Sequence, residues 1–138
     1  MNGIARAVAA APSLFLAFDF GTRRVGVASG NSLTHTATPL TTLTHDGNEA
    51  RFAAIAALIA EWQPGALVVG VPCHPDGAPH DNTRRAQRFA RQLHGRFALP
   101  VHEVDERYTT TEVLAAGAAD VDAASAALIL EQYFNSQR

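Results

Sequence analysis

Lysine is absent from this chain: all 11 basic residues are arginine, set against 13 acids for a formal net charge of -2. That balance carries no overall electrostatic signature of nucleic-acid binding, so any basic surface must be local. Cysteine is nearly absent as well. The single Cys73 excludes an internal disulfide and gives no sign of an oxidising compartment. Aromatics amount to 7% and do not interleave with the arginines, which argues against a base-stacking surface. No apolar run reaches the roughly 18 residues of a membrane span. Gly26 and Gly30 do not make a glycine-rich phosphate loop. The six histidines lack zinc-ligand spacing, and the cluster Cys73, His74 and His80 reads as loop residues. What remains is a chain of 138 residues, 47% hydrophobic, long enough for one domain with a substantial core.

Arg6 followed by the apolar stretch Ala7 to Phe18 loosely resembles a signal peptide, but Pro12 and Ser13 interrupt it and Asp19 ends it. Residues 1–12 are therefore expected to form a loose tail, and 13–138 a single domain, in a cytoplasmic protein with no membrane association. Leu14 to Phe20 is a short apolar run stopped by Gly21, the pattern of a buried strand. Val25 to Ser29 and the Thr-rich Thr36 to Leu43 follow closely enough for an antiparallel meander. From Asn48 to Trp62 the period changes, with Phe52, Ile55, Ile59 and Trp62 on one helical face. Pro64-Gly65 ends that helix, and Ala66 to Val71 is apolar without alternation, as in a strand covered on both faces. A second helix is expected from Asp81, Asn82 or Thr83 to about Leu93, and a fifth strand over Leu99 to Val104. A short helix at Thr110 to Ala116 and a last one starting at Asp120 or Asp122 complete the order. This is an α/β pattern: a five-stranded mixed sheet, three strands in a meander and two parallel, flanked by helices. Sites in such sheets gather at the carboxyl ends of parallel strands.

Three acids stand out there. Asp19 interrupts an apolar strand, where an ionised carboxylate needs a partner or a metal. Asp105 and Glu106 follow the fifth strand, and Asp122 lies at the start of the last helix. Gathered at one end of the sheet, Asp19, Glu106 and Asp122 would repel unless divalent cations shared the site. Oxygen-only ligands suit Mg²⁺ or Mn²⁺, which two-metal sites use to cleave phosphodiesters. Each acid also has a plain structural reading: Asp122 as a helix cap, Glu106 as a solvated partner of Arg107, Asp105 as a surface residue.

The arginines are as unevenly placed as the acids. Residues 82–102 hold five arginines and no acid, whereas 103–131 hold seven acids and one arginine. Arg84, Arg88 and Arg91 fall on one helical face at i, i+4 and i+7. Arg23 and Arg24 follow the first strand, and Arg107 adjoins the acids. Guanidinium forks suit phosphate oxygens; the alternative is a solvated helix face.

Four ordered segments resemble the YqgF (RuvX) family, whose members are named as pre-16S rRNA nucleases. They are Phe18-Asp19-Phe20-Gly21-Thr22-Arg23-Arg24-Val25-Gly26-Val27-Ala28, Val68-Val69-Gly70-Val71-Pro72, Val104-Asp105-Glu106-Arg107-Tyr108-Thr109-Thr110, and Val121 to Glu131. Together they span nearly the whole of residues 14–134. The resemblance implies an RNase H-like fold related to Holliday-junction resolvases, with Asp19, Glu106 and Asp122 as catalytic metal ligands for Mg²⁺ or Mn²⁺. It further implies that Gly70 lies where a side chain would obstruct the substrate backbone. With Thr109 and Thr110 of the third segment, and with Arg23, Arg24, Arg84, Arg88, Arg91 and Arg107 read from their placement, this completes the expected substrate contacts. The loop Cys73 to Gly77 departs from the family's usual polar loop. Ala118-Ala119-Asp120 also lacks a basic residue often found before the final Asp. Both departures bear on substrate contacts rather than on the metal site. The expected activity is endonucleolytic processing of the 5' end of pre-16S rRNA by a monomer or weak homodimer. The expected partners are structured RNA more than DNA, and pre-ribosomal particles. Resolution of branched DNA and a non-catalytic nucleic-acid-binding module are the alternatives. Asp19-Phe20-Gly21-Thr22 also resembles the first phosphate loop of actin-type ATPases, but those pair two such domains around a nucleotide.

Overall fold

The computed structural model describes residues 13–44, 47–72, 81–105 and 120–137. The expected tail over 1–12 and the expected helix at Thr110 to Ala116 lie outside the described residues. Within them the order is β1 (Leu14–Phe20), β2 (Val25–Asn31), β3 (Thr36–Leu43), α1 (Asn48–Trp62), β4 (Ala66–Val71), α2 (Asp81–Phe97), β5 (Val101–Asp105) and α3 (Val121–Ser136). The strands form one sheet in the order β3-β2-β1-β4-β5. β1 to β3 are the antiparallel meander, while β4 runs parallel to β1 and β5 parallel to β4.

Strand alternation divides the core into two layers. Leu16, Phe18, Val25, Val27, Leu67 and Val69 face α1 and α2, where they pack with Phe52, Ile55, Phe89 and Leu93. Phe18 and Phe89 are fully buried and meet edge to face, with ring centroids 5.9 Å apart. Burying one such ring contributes about 1.5–3 kcal/mol relative to leaving it exposed. Phe15, Ala17, Ala66 and Val68 face the other way, toward Ile129, Leu130 and Phe134 of α3. Ala28 meets Ala126 and Ala127 on that side. A sheet face of alanine and glycine against an alanine-rich helix lets α3 lie close to the strands.

Three boundaries differ from the sequence expectation. β2 continues to Asn31, because Gly30 and Asn31 pair with both Phe15 and Leu14 of β1 and Ala37 and Thr36 of β3. α2 continues past Leu93 to Phe97. Its last turn is held from outside, since the Arg96 guanidinium lies 4.2 Å over the Phe52 ring and bonds Glu49 at 3.2 Å. Ala98, at φ 56°, then closes the helix with its N–H on the His94 carbonyl. β5 begins at Val101 because the Pro100 carbonyl is where pairing to Leu67 starts. Pro39 is tolerated in β3 because β3 is an edge strand.

α3 is capped by Asp120, whose carboxylate accepts the Ala123 N–H at 3.1 Å and the Thr42 hydroxyl at 2.7 Å. The cap therefore also ties the helix to β3. Asp120→Ala is expected to cost about 0.5–2 kcal/mol in urea unfolding, with Asp120→Asn recovering most of it.

Candidate active site

Asp19 sits near the end of β1 with a glycine on each flank: Gly26 of β2 on one side, Gly70 of β4 on the other. The same row continues to Thr42 in β3 and Val104 in β5. Parity places Asp19 on the face of Phe15 and Ala17, hence on the α3 side of the sheet. Gly26 and Gly70 share that face, as their neighbours Ala28, Ala66 and Val68 show. The carboxylate is thus flanked by two positions that carry no side chain.

α3 delivers the second acid to this row. A β-carbon added at Gly26 would overlap the backbone carbonyl of Asp122, so the first turn of α3 rests directly on the strand residue paired with Asp19. Asp120, not Asp122, is the cap. Asp122 is left in the first helical turn, partly buried, with Oδ2 2.9 Å from Nε of Arg24. Gly21, Thr22, Arg23, Arg24 and Asp122 line a cavity of about 290 Å³ beside it. The β1–β2 loop therefore brings both of its arginines to the acidic row.

Glu106, Arg107, Thr109 and Thr110 lie outside the described residues, which resume only at Asp120. β5 turns His102 and Val104 toward α3, where His102 stacks on Tyr133. Asp105 has the opposite parity and is exposed. Among the described residues no group of three His, Cys, Asp or Glu side chains is gathered closely enough to hold a metal.

The arginines of α2 do not converge. Arg84 is exposed and reaches Asp81 at 3.4 Å. Arg91 lines a cavity toward β5 that also contains Glu103. Arg88 lines a different cavity, shared with Arg85 and with Arg51 of α1. A shared helical stripe was legible in the spacing, but the partners packed on its two sides are not.

Arg51 is the residue that sequence reasoning missed. It is 6% exposed, donates from Nη2 to the Thr22 carbonyl at 2.8 Å, and lies 5.7 Å from the Phe20 ring. The signal was present: Arg51 falls on the apolar stripe of α1 with Ile55, Leu58, Ile59 and Trp62, a charge where the pattern calls for a core residue.

The architecture is the RNase H-like fold. Thermus thermophilus RuvC in complex with a Holliday-junction substrate superposes with a TM-score of 0.58 at 14% identity, covering 91% of this chain and 95% of that one. The Fowlpox virus resolvase bound to Holliday-junction DNA gives 0.57 at 10% identity, covering 90% and 98%. At such identities the likeness is one of fold. The family follows from sequence: the family model described as "RuvX: Holliday junction resolvase" matches residues 13–136, and the chain belongs to that family. A protein of Polaromonas sp. (strain JS666 / ATCC BAA-500) named "Putative pre-16S rRNA nuclease" is 66% identical over 122 residues, 88% of each chain. A protein of the same name from Albidiferax ferrireducens is 62% identical over 129 residues, covering 94% of this chain and 82% of its own.

Proposed function

We propose that residues 13–138 form one divalent-metal-dependent endonuclease domain that hydrolyses phosphodiester bonds in structured RNA. Its substrate on this reading is the 5' end of pre-16S rRNA, met in the cytoplasm on pre-ribosomal particles. The observation that carries the reading is that the first turn of α3, which holds Asp122, rests on Gly26, the residue paired with Asp19. No helix among the described residues is long and apolar enough to cross a membrane.

The donor chemistry fits Mg²⁺ or Mn²⁺. Two carboxylates stand on the same side of the sheet, and one oxygen of Asp122 is already held by a cation, Arg24. Asp19 and Asp122 would hold the metal, with Glu106 as the third ligand that the family resemblance implies. Such an ion supplies an activated water and charge stabilisation at the leaving oxygen. Gly70, which carries no side chain beside Asp19, is assigned a place next to the substrate backbone from the family resemblance. Arg23 and Arg24 offer forked donors to its phosphates, and Arg107, Thr109 and Thr110 are assigned the same role from the family resemblance.

Incubation of precursor rRNA with the protein and Mg²⁺ or Mn²⁺ is expected to produce discrete cleavage; its absence would sink the reading. Arg24 competes with the metal for Asp122. Arg24→Gln is therefore expected to tighten Mn²⁺ binding by up to about fivefold, because the exposed pair is worth about 0–1 kcal/mol. Titration calorimetry measures this directly. A second reading, resolution of four-way DNA junctions, is favoured by the likeness to resolvases bound to such substrates. That chemistry needs two sites acting on two strands, so a protein that stays monomeric on junction DNA in sedimentation would exclude it.

A further inference from the structure

A cavity of about 170 Å³ opens between α1 and α2, lined by Phe20, Asn48, Arg51, Arg85, Arg88, Phe89 and Gln92. Of these described residues three are cationic and none is acidic. Arginine does not lose its proton in a protein, so the mutual repulsion cannot be relieved by titration. The nearest acid in sequence, Glu49, is engaged with Arg96. Arg88 has no hydrogen bond or ion pair among the described residues, and Arg85 has a 3.3 Å contact to Asn82.

Arg51 makes the arrangement specific. The residue is more than nine-tenths buried, yet its buried Nε has no hydrogen-bond partner among the described residues. A buried donor left unpaired has lost its hydration with nothing in return, and the penalty is larger for a charged group. A buried cation is ordinarily matched by an anion, and among the described residues none is paired with Arg51. Asn48 opens α1, whose N-cap Gly47 provides no side-chain cap, so the positive end of that helix borders the same space.

We propose that this cavity binds a backbone phosphate of the nucleic-acid strand, at a point separate from the scissile phosphate. The source of the phosphate rests on the nuclease reading above; the anion site itself rests on the arginines. Phe20 points into the cavity from one face of β1, while Asp19 points from the other. The Gly21 to Arg24 loop connects the two places. Arg51 holds that loop at the Thr22 carbonyl, and Arg24 holds it at Asp122. A strand passing around this end of the sheet would meet the arginine cavity on one face and the carboxylates on the other.

The test uses full-length protein carrying Asp19→Asn, without divalent metal, so that binding is scored independently of cleavage. Fluorescence anisotropy with a labelled oligouridylate is measured across a salt series. The arginine Nε–H signals are followed by NMR as inorganic phosphate is added. Arg85→Gln/Arg88→Gln, a pair of exposed positions that leaves Arg51 and the core in place, is expected to weaken RNA binding about tenfold. It should also flatten the slope of log affinity against log salt by about 0.7 for each phosphate no longer neutralised. Inorganic phosphate is expected to move the Arg51 Nε–H signal, and the oligouridylate to compete with it. Unchanged affinity and slope together with an unmoved Arg51 signal would overturn the proposal. Phosphate binding that the oligouridylate does not displace would overturn the nucleic-acid source and leave a free-phosphate site. If binding behaves as expected while the wild-type protein cleaves nothing, the nuclease reading falls and this site stands.

Discussion

Asp19→Asn is expected to lower cleavage of the RNA substrate by about 10³-fold or more while leaving the protein folded. The substitution keeps the size of the side chain and one oxygen but removes the charge that would hold a cation. Metal stabilisation of the transition state amounts to several kcal/mol, and each 1.36 kcal/mol is a factor of ten in rate. A second readout separates a metal site from a structural role. Mn²⁺ that binds only the folded wild-type protein raises its melting temperature by mass action, whereas the Asn variant should show little of that rise. A non-catalytic binding module predicts a different outcome: normal rRNA processing in cells that carry only Asp19→Asn.

Gly26→Ala should disable the same site from a residue with no chemistry of its own. The new methyl would occupy the place of the Asp122 carbonyl oxygen, and both groups belong to backbone that is packed on either side. α3 must retreat from the sheet, carrying Asp122 away from Asp19. Overpacking of this kind costs about 1–3 kcal/mol, occasionally more, and each kcal/mol lowers the melting temperature by about 3–5 °C at this chain length. Activity should fall well beyond the loss of folded protein, because a displacement of about 1 Å in a catalytic group costs on the order of a hundredfold. Gly95→Ala is the contrasting control. Gly95 lies inside α2 with open space around the position of the added carbon. Replacing a helical glycine there should stabilise the protein by about 0.5–1 kcal/mol and leave cleavage unaffected. Equal responses to the two substitutions would contradict the packing described for α3.

The elements themselves were largely legible in the residues. β1, β3, α1 and β4 run over the residues that apolar periodicity and the breakers Gly21 and Pro64-Gly65 indicate. The boundaries that differ, at the ends of β2, α2 and β5, are held by groups far away in sequence. Arg96 of α2 is fastened to Phe52 and Glu49 of α1, which no local pattern discloses. The identity of the α3 cap was open between Asp120 and Asp122 for a similar reason. The Thr42 hydroxyl, 78 residues away, binds Asp120 and leaves Asp122 to Arg24. Arg51 shows the opposite case, a readable anomaly on the apolar stripe of α1 whose meaning depended on what packed against it.

By itself the sequence determined that this is an α/β chain with a meander and two parallel strands. It also determined that Asp19 is a carboxylate in an apolar strand, and that basic and acidic residues are segregated along the chain. These are local properties, set by side-chain period and chain breakers acting over a few residues. Which of those charges meet was decided only by tertiary structure. Gly26 admits α3 to the row of Asp19, and the two sides of α2 separate Arg88 from Arg91. The cavity joins Arg88 instead to Arg85 and the buried Arg51. The physical reason is that charge interactions depend on distance and burial in space, and packing sets both.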